Sequence, residues 1–388
     1  MTRILHVATG FFPMRGGIEQ VAEDIVHSLS DNKDIVQKII CFNGNGEAEG
    51  TVTRMKETVH DTIRGAEIVR CGCITKIFSQ SISLTLRREL GILINEFKPD
   101  IIIMHYPNPF FAFMLLPFLK KNRDIKFILW WHLDIVRQKI LGKLFHFQNI
   151  KLCERADVIV PTSENYIKGS KYLTQFKDKC TVIPNCVQNS RIPETHETTQ
   201  MASEIRKKYP GKFISFSVGR NVPYKGFRYL IKAAEYLDDD FIVLIAGAGT
   251  QTEEMQELVK DNPRVKLLGM LSNKELTAHY IACDVYSFPS VARNEAFGIA
   301  LAEGMYFGKP AVTFTIPGSG VNYVSLDGVT GIECPNGDVK AFAEALMKLR
   351  NDPELRRRLG ENAMQRVLEN FMYYKFRQRV IKLISSMA

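Results

Sequence analysis

Short apolar runs alternate with amphipathic stretches along most of this chain. Runs at Arg3 to Ala8, Ile35 to Phe42, Glu67 to Cys71, Asp100 to His105, Lys126 to Trp131 and Asp157 to Pro161 read as buried strands. Patterns of helical period, such as Ile18 to Leu29, lie between several of them. Strand and helix in alternation predict a mostly parallel sheet covered on both faces. A second series follows at Lys212 to Val218, Phe241 to Ala246, Val265 to Leu268, Val285 to Phe288 and Val312 to Thr315. The stretch Val187 to Gln200 is polar and aperiodic and reads as a linker. The pattern therefore predicts an α/β protein of two Rossmann-like domains, residues 1–190 and 191–370, with a helical, basic remainder that takes in residues 371–388.

The stretch from Phe288 to Pro310 organises the second series. A strand ends at Pro289, and a helical pattern opens after Asn294 and closes at Gly308. Glu295 sits at the helix entry and Glu303 eight residues on. At helical rise they stand roughly 12 Å apart, wider than a glycosidase pair at roughly 5 to 9.5 Å. The two carboxylates then hold different ends of one elongated ligand. The helix entry adds the N–H groups of Ala296, Phe297, Gly298 and Ile299, a place suited to a diphosphate. The plainer alternative makes Glu295 a cap and Glu303 a solvated residue.

Other candidates fall at strand ends, where ligands of such sheets bind. Gly219-Arg220-Asn221-Val222-Pro223-Tyr224-Lys225-Gly226 follows the first strand of the second series, and its guanidinium and ammonium can converge on a diphosphate. It is not a Walker motif. Turns at Gly247-Ala248-Gly249-Thr250 and Gly269-Met270-Leu271 allow close approach of a nucleotide. In the first half, Gly16 and Gly17 open a helix but lack the dinucleotide fingerprint. His105 ends one strand; His132 ends the next, and Asp134 two positions on is placed to orient it. A histidine ending a buried strand is also compatible with a purely structural role.

Composition narrows the setting more than the chemistry. The 388 residues, 45% hydrophobic and 24% charged, suit two domains of a soluble enzyme. A net charge of +9 favours an acidic partner: a nucleotide, an anionic lipid surface or nucleic acid. The eight cysteines show neither a CxxC pair nor a His-rich companion, so a reduced cytoplasmic setting is expected and no metal. No apolar run reaches the ~20 residues of a spanning helix, and no signal-peptide layout opens the chain. Basic amphipathic stretches at Asn108 to Lys121 and Ile135 to Phe147, the latter with Arg137, Lys139 and Lys143, read as sheet-packing helices or as contacts with an anionic membrane.

Glu295 and Glu303, framed by Phe288-Pro289-Ser290 and Phe307-Gly308-Lys309-Pro310, resemble the donor-site signature of the retaining glycosyltransferases of family 4. These have the GT-B fold, two Rossmann-like domains facing across a cleft with a C-terminal helix crossing back to the first, and include builders of bacterial cell-surface polysaccharides. Gly219-Arg220 with Lys225-Gly226 is similar to the family's "GR-x-x-x-x-KG", and His132-Leu133-Asp134 to its "H-x-D". Ala296 and Gly304 depart from the family's usual "EGFG" and "EAM". Both are small residues expected to leave the geometry undisturbed. The likeness is dense from Lys212 to Asp338 and sparse from Arg54 to Lys98.

The resemblance implies a hexosyltransferase that moves a sugar from a UDP- or GDP-sugar to a glycan or lipid-linked oligosaccharide, with retention and without metal or other cofactor. It gives His132 and Glu295 to the transferred sugar, Arg220 and Lys225 to the leaving diphosphate, and Glu303 to the ribose. Gly219, Gly247, the turn at Met270 and Leu271, and Gly17 border the donor; Gly16, His105 and Asp134 fall on the acceptor side. The implied partners are the donor, the acceptor and the inner face of an anionic membrane, with no nucleic acid. A sugar-nucleotide epimerase of the same architecture and a non-catalytic nucleotide binder are the alternatives.

Overall fold

The computed structural model describes residues 1–14, 16–43, 55–63, 65–77, 80–135 and 142–387. They form two compact units. The first comprises Met1–Thr162, Ser170–Ile183 and Phe376–Ala388, and the second Ser163–Gly169 and Pro184–Lys375.

In the first unit the strands are β1 (Thr2–Val7), β2 (Ile35–Phe42), β3 (Val59–Ile63), β4 (Ala66–Cys71), the hairpin β5 (Thr75–Ile77) and β6 (Gln80–Ile82), β7 (Ile101–Tyr106), β8 (Lys126–Trp131) and β9 (Val158–Pro161). The main sheet runs β3-β4-β2-β1-β7-β8-β9. All its pairings are parallel except β3 with β4. β7, Ile-Ile-Ile-Met-His-Tyr, is buried at every position, as a strand covered on both faces must be. Strand order reverses between β2 and β7 on either side of β1, so the carboxyl ends of β1 and β7 mark a crevice.

β3 and the β5–β6 hairpin were not expected. β3 is exposed along most of its length and carries His, Asp and Thr at its centre, so it shows no buried face for periodicity to reveal. Arg137 and Lys139 of the basic stretch lie outside the described residues.

The second unit holds β10 (Phe213–Val218), β11 (Phe241–Ala246), β12 (Val265–Gly269), β13 (Val285–Phe288), β14 (Ala311–Phe314) and β15 (Gly331–Cys334). The order β12-β11-β10-β13-β14-β15 is parallel throughout, with its reversal at β10. Phe216, Leu244, Val285 and Val312 lie at the heart of one apolar core beneath the helices.

The expected linker is more ordered than its composition suggests. His196–Lys208 is a helix, opened by a capping box in which Thr195 and Thr198 satisfy each other's backbone N–H groups. Val187 is bound on both sides to the chain where the last helix begins, through Val187 N–H to Phe371 O at 2.7 Å and Tyr373 N–H to Val187 O at 3.0 Å. The last helix, Tyr373–Met387, belongs from Phe376 onward to the first unit, where Phe376 packs beside Trp130.

Candidate functional site

In the second unit the loops leaving β10, β11 and β13 are stitched together by close backbone approaches. Gly226, at φ 68°, leaves no room for a side chain, since a Cβ would lie 2.0 Å from the Pro289 carbonyl oxygen. The neighbouring Val291 N–H donates to Tyr224 O at 2.9 Å. Gly247, at φ 122°, abuts Gly219 in the same way, with 1.8 Å between an added Cβ and the Gly219 carbonyl oxygen. Only glycine meets both demands at these two positions. The loop bearing Arg220 and Lys225 is therefore fixed against the loop bearing Glu295.

Lys225 donates to Glu295 Oε2, and both side chains are largely buried. The Lys225 ammonium also lies 5.0 Å from the centre of the Phe288 ring. Ser290 Oγ donates to the same Glu295 oxygen at 3.3 Å. Ser319 Oγ holds the Glu295 backbone carbonyl, so the loop Gly318-Ser319-Gly320 is pinned rather than free. Arg220 reaches the Tyr224 hydroxyl at 3.2 Å. Ser290 and Ser319 thus hold Glu295, and Tyr224 holds Arg220, contacts that the spacing of these residues does not announce.

The helix after this loop spans Ile299–Tyr306 and begins later than its periodicity suggested. Gly298, at φ 92°, is its N-terminal cap, so Ala296 and Phe297 lie in the loop. Ala302 N–H makes the bond back to Gly298 O at 3.1 Å. Helix geometry then leaves Ile299, Ala300 and Leu301 N–H without acceptors inside the helix. Of the expected donors, Ile299 stands on the helix while Ala296, Phe297 and Gly298 precede it in the loop, so the separation of Glu295 from Glu303 is not one of helical rise.

Glu303 is buried, which removes the solvated-face alternative. Its Oε2 accepts from the Tyr280 hydroxyl at 3.0 Å. Burial holds the Tyr280 phenol well above its usual pKa, so it remains a donor. Gly304 lies against the Tyr286 ring, where an added Cβ would come within 2.5 Å. The departure from alanine at this position is thus matched to Tyr286. Met270 is exposed and Leu271 half-buried in the turn after β12, and Gly247 N–H donates to Gly269 O at 2.7 Å.

In the first unit Gly16 caps the helix Gly17–Leu29, and a side chain on Gly17 would meet open space. His105 Nδ1 lies 3.2 Å from His132 Nε2, with both rings buried. Burial lowers His132 to about 3 and His105 well below the ordinary imidazole range, so both are neutral. Asp134 does not orient His132 as expected. Its Oδ1 accepts from Trp131 Nε1 at 2.8 Å and Ser170 Oγ at 3.0 Å, while the ring partner of His132 is His105. His105 is 0% exposed and cannot itself touch an acceptor.

Two family models match the chain. Glycosyltransferase Family 4 covers residues 15–191, and Glycosyl transferases group 1 covers residues 199–366. The Escherichia coli protein named O-antigen chain mannosyltransferase C is 30% identical over 372 residues, 95% of this chain and 94% of that one. The Pseudomonas aeruginosa D-rhamnosyltransferase WbpZ is 28% identical over 382 residues, 95% and 92% of the two chains. Among solved structures, Anabaena HepE in complex with UDP aligns with a TM-score of 0.76 at 16% identity, covering 99% of this chain and 100% of that one. Sucrose-phosphate synthase from Thermosynechococcus elongatus reaches 0.79 at 16% identity, covering 100% and 99%. These two likenesses speak for the GT-B fold. With both halves matched by family models and a relative 30% identical along nearly its whole length, the chain belongs to the family 4 glycosyltransferases.

Proposed function

We propose that this glycosyltransferase moves a hexosyl unit, with retention, from a UDP- or GDP-sugar to a hydroxyl of a glycan or lipid-linked oligosaccharide in cell-surface polysaccharide synthesis. One observation carries the reading: Arg220, Lys225 and the start of the helix Ile299–Tyr306 all follow strands β10 and β13, at the reversal of the second sheet. A guanidinium, an ammonium and free helix N–H groups suit a diphosphate. The names of the mannosyl- and rhamnosyltransferase relatives and the UDP bound by HepE support the substrate class.

On this reading the anomeric carbon–oxygen bond breaks towards the diphosphate, and the acceptor oxygen bonds to that carbon from the same face. The acceptor proton passes to the departing phosphate. Arg220 and Lys225 meet the charge that develops on the leaving group, the largest electrostatic demand of the step. No metal is assigned to it. Glu303 takes the ribose hydroxyls, Glu295 positions the sugar, and His132 hydrogen-bonds its hydroxyls.

A cytoplasmic enzyme resting on the inner face of a membrane fits a lipid-linked acceptor. Exposed Phe113 and exposed Lys120 and Lys121 on the helix Pro109–Lys121 support that placement. Among the described residues no helix is long and apolar enough to cross a membrane.

The test is incubation with a nucleotide sugar and acceptor, reading diphosphate release and the product's anomeric configuration by NMR. Release with a retained anomer is expected. An inverted product removes the same-face step, and conversion of the donor without release indicates an epimerase.

A further inference from the structure

Three histidines of the first unit stand side by side on β1, at the end of β7 and just after β8. The His6 and His105 rings lie 5.9 Å apart at 22°, and those of His105 and His132 5.5 Å apart at 12°. None is more than 4% exposed. Between His105 Nδ1 and His132 Nε2, 3.2 Å apart, there is room for one hydrogen, so the neutral pair has two arrangements.

The surroundings choose between them. Gln37 Nε2 donates to the Val26 carbonyl at 3.0 Å, which turns the Gln37 oxygen to His6 Nε2, also at 3.0 Å. His6 must then carry its hydrogen on Nε2 and leave a lone pair on Nδ1. Among the described residues, His6 Nδ1 and His105 Nε2 are both buried without a hydrogen-bond partner. A bare buried N–H costs more than a bare lone pair. His105 therefore keeps Nε2 unprotonated, holds its hydrogen on Nδ1 and donates it to His132 Nε2. The His132 hydrogen is left on Nδ1, the nitrogen that His105 does not occupy.

We propose that His105 is a positioning residue that fixes His132 as a neutral donor with its hydrogen on Nδ1, the tautomer that free histidine disfavours. The consequence for transfer rests on the reading of His132 as the residue facing the sugar. There a neutral N–H donor of fixed direction binds a hydroxyl oxygen without a counter-charge.

Nitrogen-15 NMR of the full chain with labelled histidine tests this, the signals of His132 being those lost in His132→Gln. In the wild type, His132 is expected with Nδ1 protonated and Nε2 bare. His105→Leu should release it to the Nε2-protonated form, whereas His105→Asn, whose amide nitrogen sits about where Nδ1 does, should preserve the wild-type pattern. Transfer should fall about tenfold in kcat for His105→Leu with donor KM unchanged, and recover in His105→Asn. A wild-type spectrum with Nε2 of His132 protonated overturns the proposal, and so does a His132 tautomer unmoved by His105→Leu. The wild-type spectrum decides even if that variant fails to fold. A tautomer that shifts while transfer stays constant upholds the role of His105 and removes His132 from the sugar, so the two failures are distinct.

Discussion

The ammonium of Lys225 is bonded to the carboxylate of Glu295, an ion pair that ties the loop after β10 to the loop after β13. With side chains 13% and 12% exposed, both groups are drawn largely out of water and neutralise each other there. A bound diphosphate would compete with Glu295 for the Lys225 charge. The same contact thus holds the loops in place before a ligand arrives.

Lys225→Ala should lower kcat by roughly two to three orders of magnitude while weakening donor binding far less, because the charge it meets grows as the leaving group departs. Steady-state kinetics beside equilibrium titration of the donor would separate the two effects. Equal losses in both would take the transition-state role from Lys225.

Glu303 and Tyr280 should behave as a pair in binding and not in turnover. Glu303→Ala is expected to weaken donor affinity with kcat nearly unchanged. Tyr280→Phe removes the hydroxyl 3.0 Å from Glu303 and should cost about fivefold in affinity, the worth of one hydrogen bond. Calorimetric titration with the nucleoside diphosphate alone checks this, and undiminished affinity in Glu303→Ala would remove it from the ribose.

Gly304→Ala should destabilise the protein although alanine is the family's usual residue there. The added Cβ would meet the Tyr286 ring at 2.5 Å inside a packed core, and overpacking of this kind costs about 1 to 3 kcal/mol. Chemical denaturation followed by circular dichroism would show it; a variant as stable as the wild type would mean that the helix shifts freely.

The buried histidines make stability depend on acid. Unfolded imidazoles take up protons near pH 6.5, but His6 in the folded protein does so only at about 4 and His132 at about 3, both because of burial. Stability from these groups is complete above pH 6.5 and falls as the pH drops from there towards 4. Each imidazole removes about 1.4 kcal/mol per pH unit across that window. Thermal melts between pH 7 and 4.5 should fall less steeply for His6→Asn than for the wild type, and parallel curves would contradict the assignment.

Much of this was legible from the order of residues, for uneven reasons. Continuous apolar strands such as β7 and β11 declare themselves, because a parallel strand covered on both faces admits almost nothing else. Spacing and resemblance single out Arg220, Lys225, Glu295 and Glu303, of which the structure brings Lys225 to Glu295 and buries Glu303. The supporting contacts did not. Ser319 comes 24 positions after Glu295, and Tyr280 23 before Glu303, distances at which no local pattern survives. Proximity in sequence pairs Asp134 with His132, yet the strand pairing that sets His105 opposite Trp130 brings the His105 imidazole to His132 instead. The helix entry is hidden in the sequence because Ala296 and Phe297 are apolar and fit helical period, while the turn is made by Gly298.

The most direct measurement is a thermal-shift panel of UDP, GDP and their sugar conjugates on the wild type and on a double variant, Arg220→Ala with Lys225→Ala. At least one nucleoside diphosphate should raise the melting temperature of the wild type and leave that of the double variant nearly unmoved. A panel in which none stabilises the protein, or in which the stabilisation survives loss of both cations, would contradict the assignment of these loops to an activated sugar.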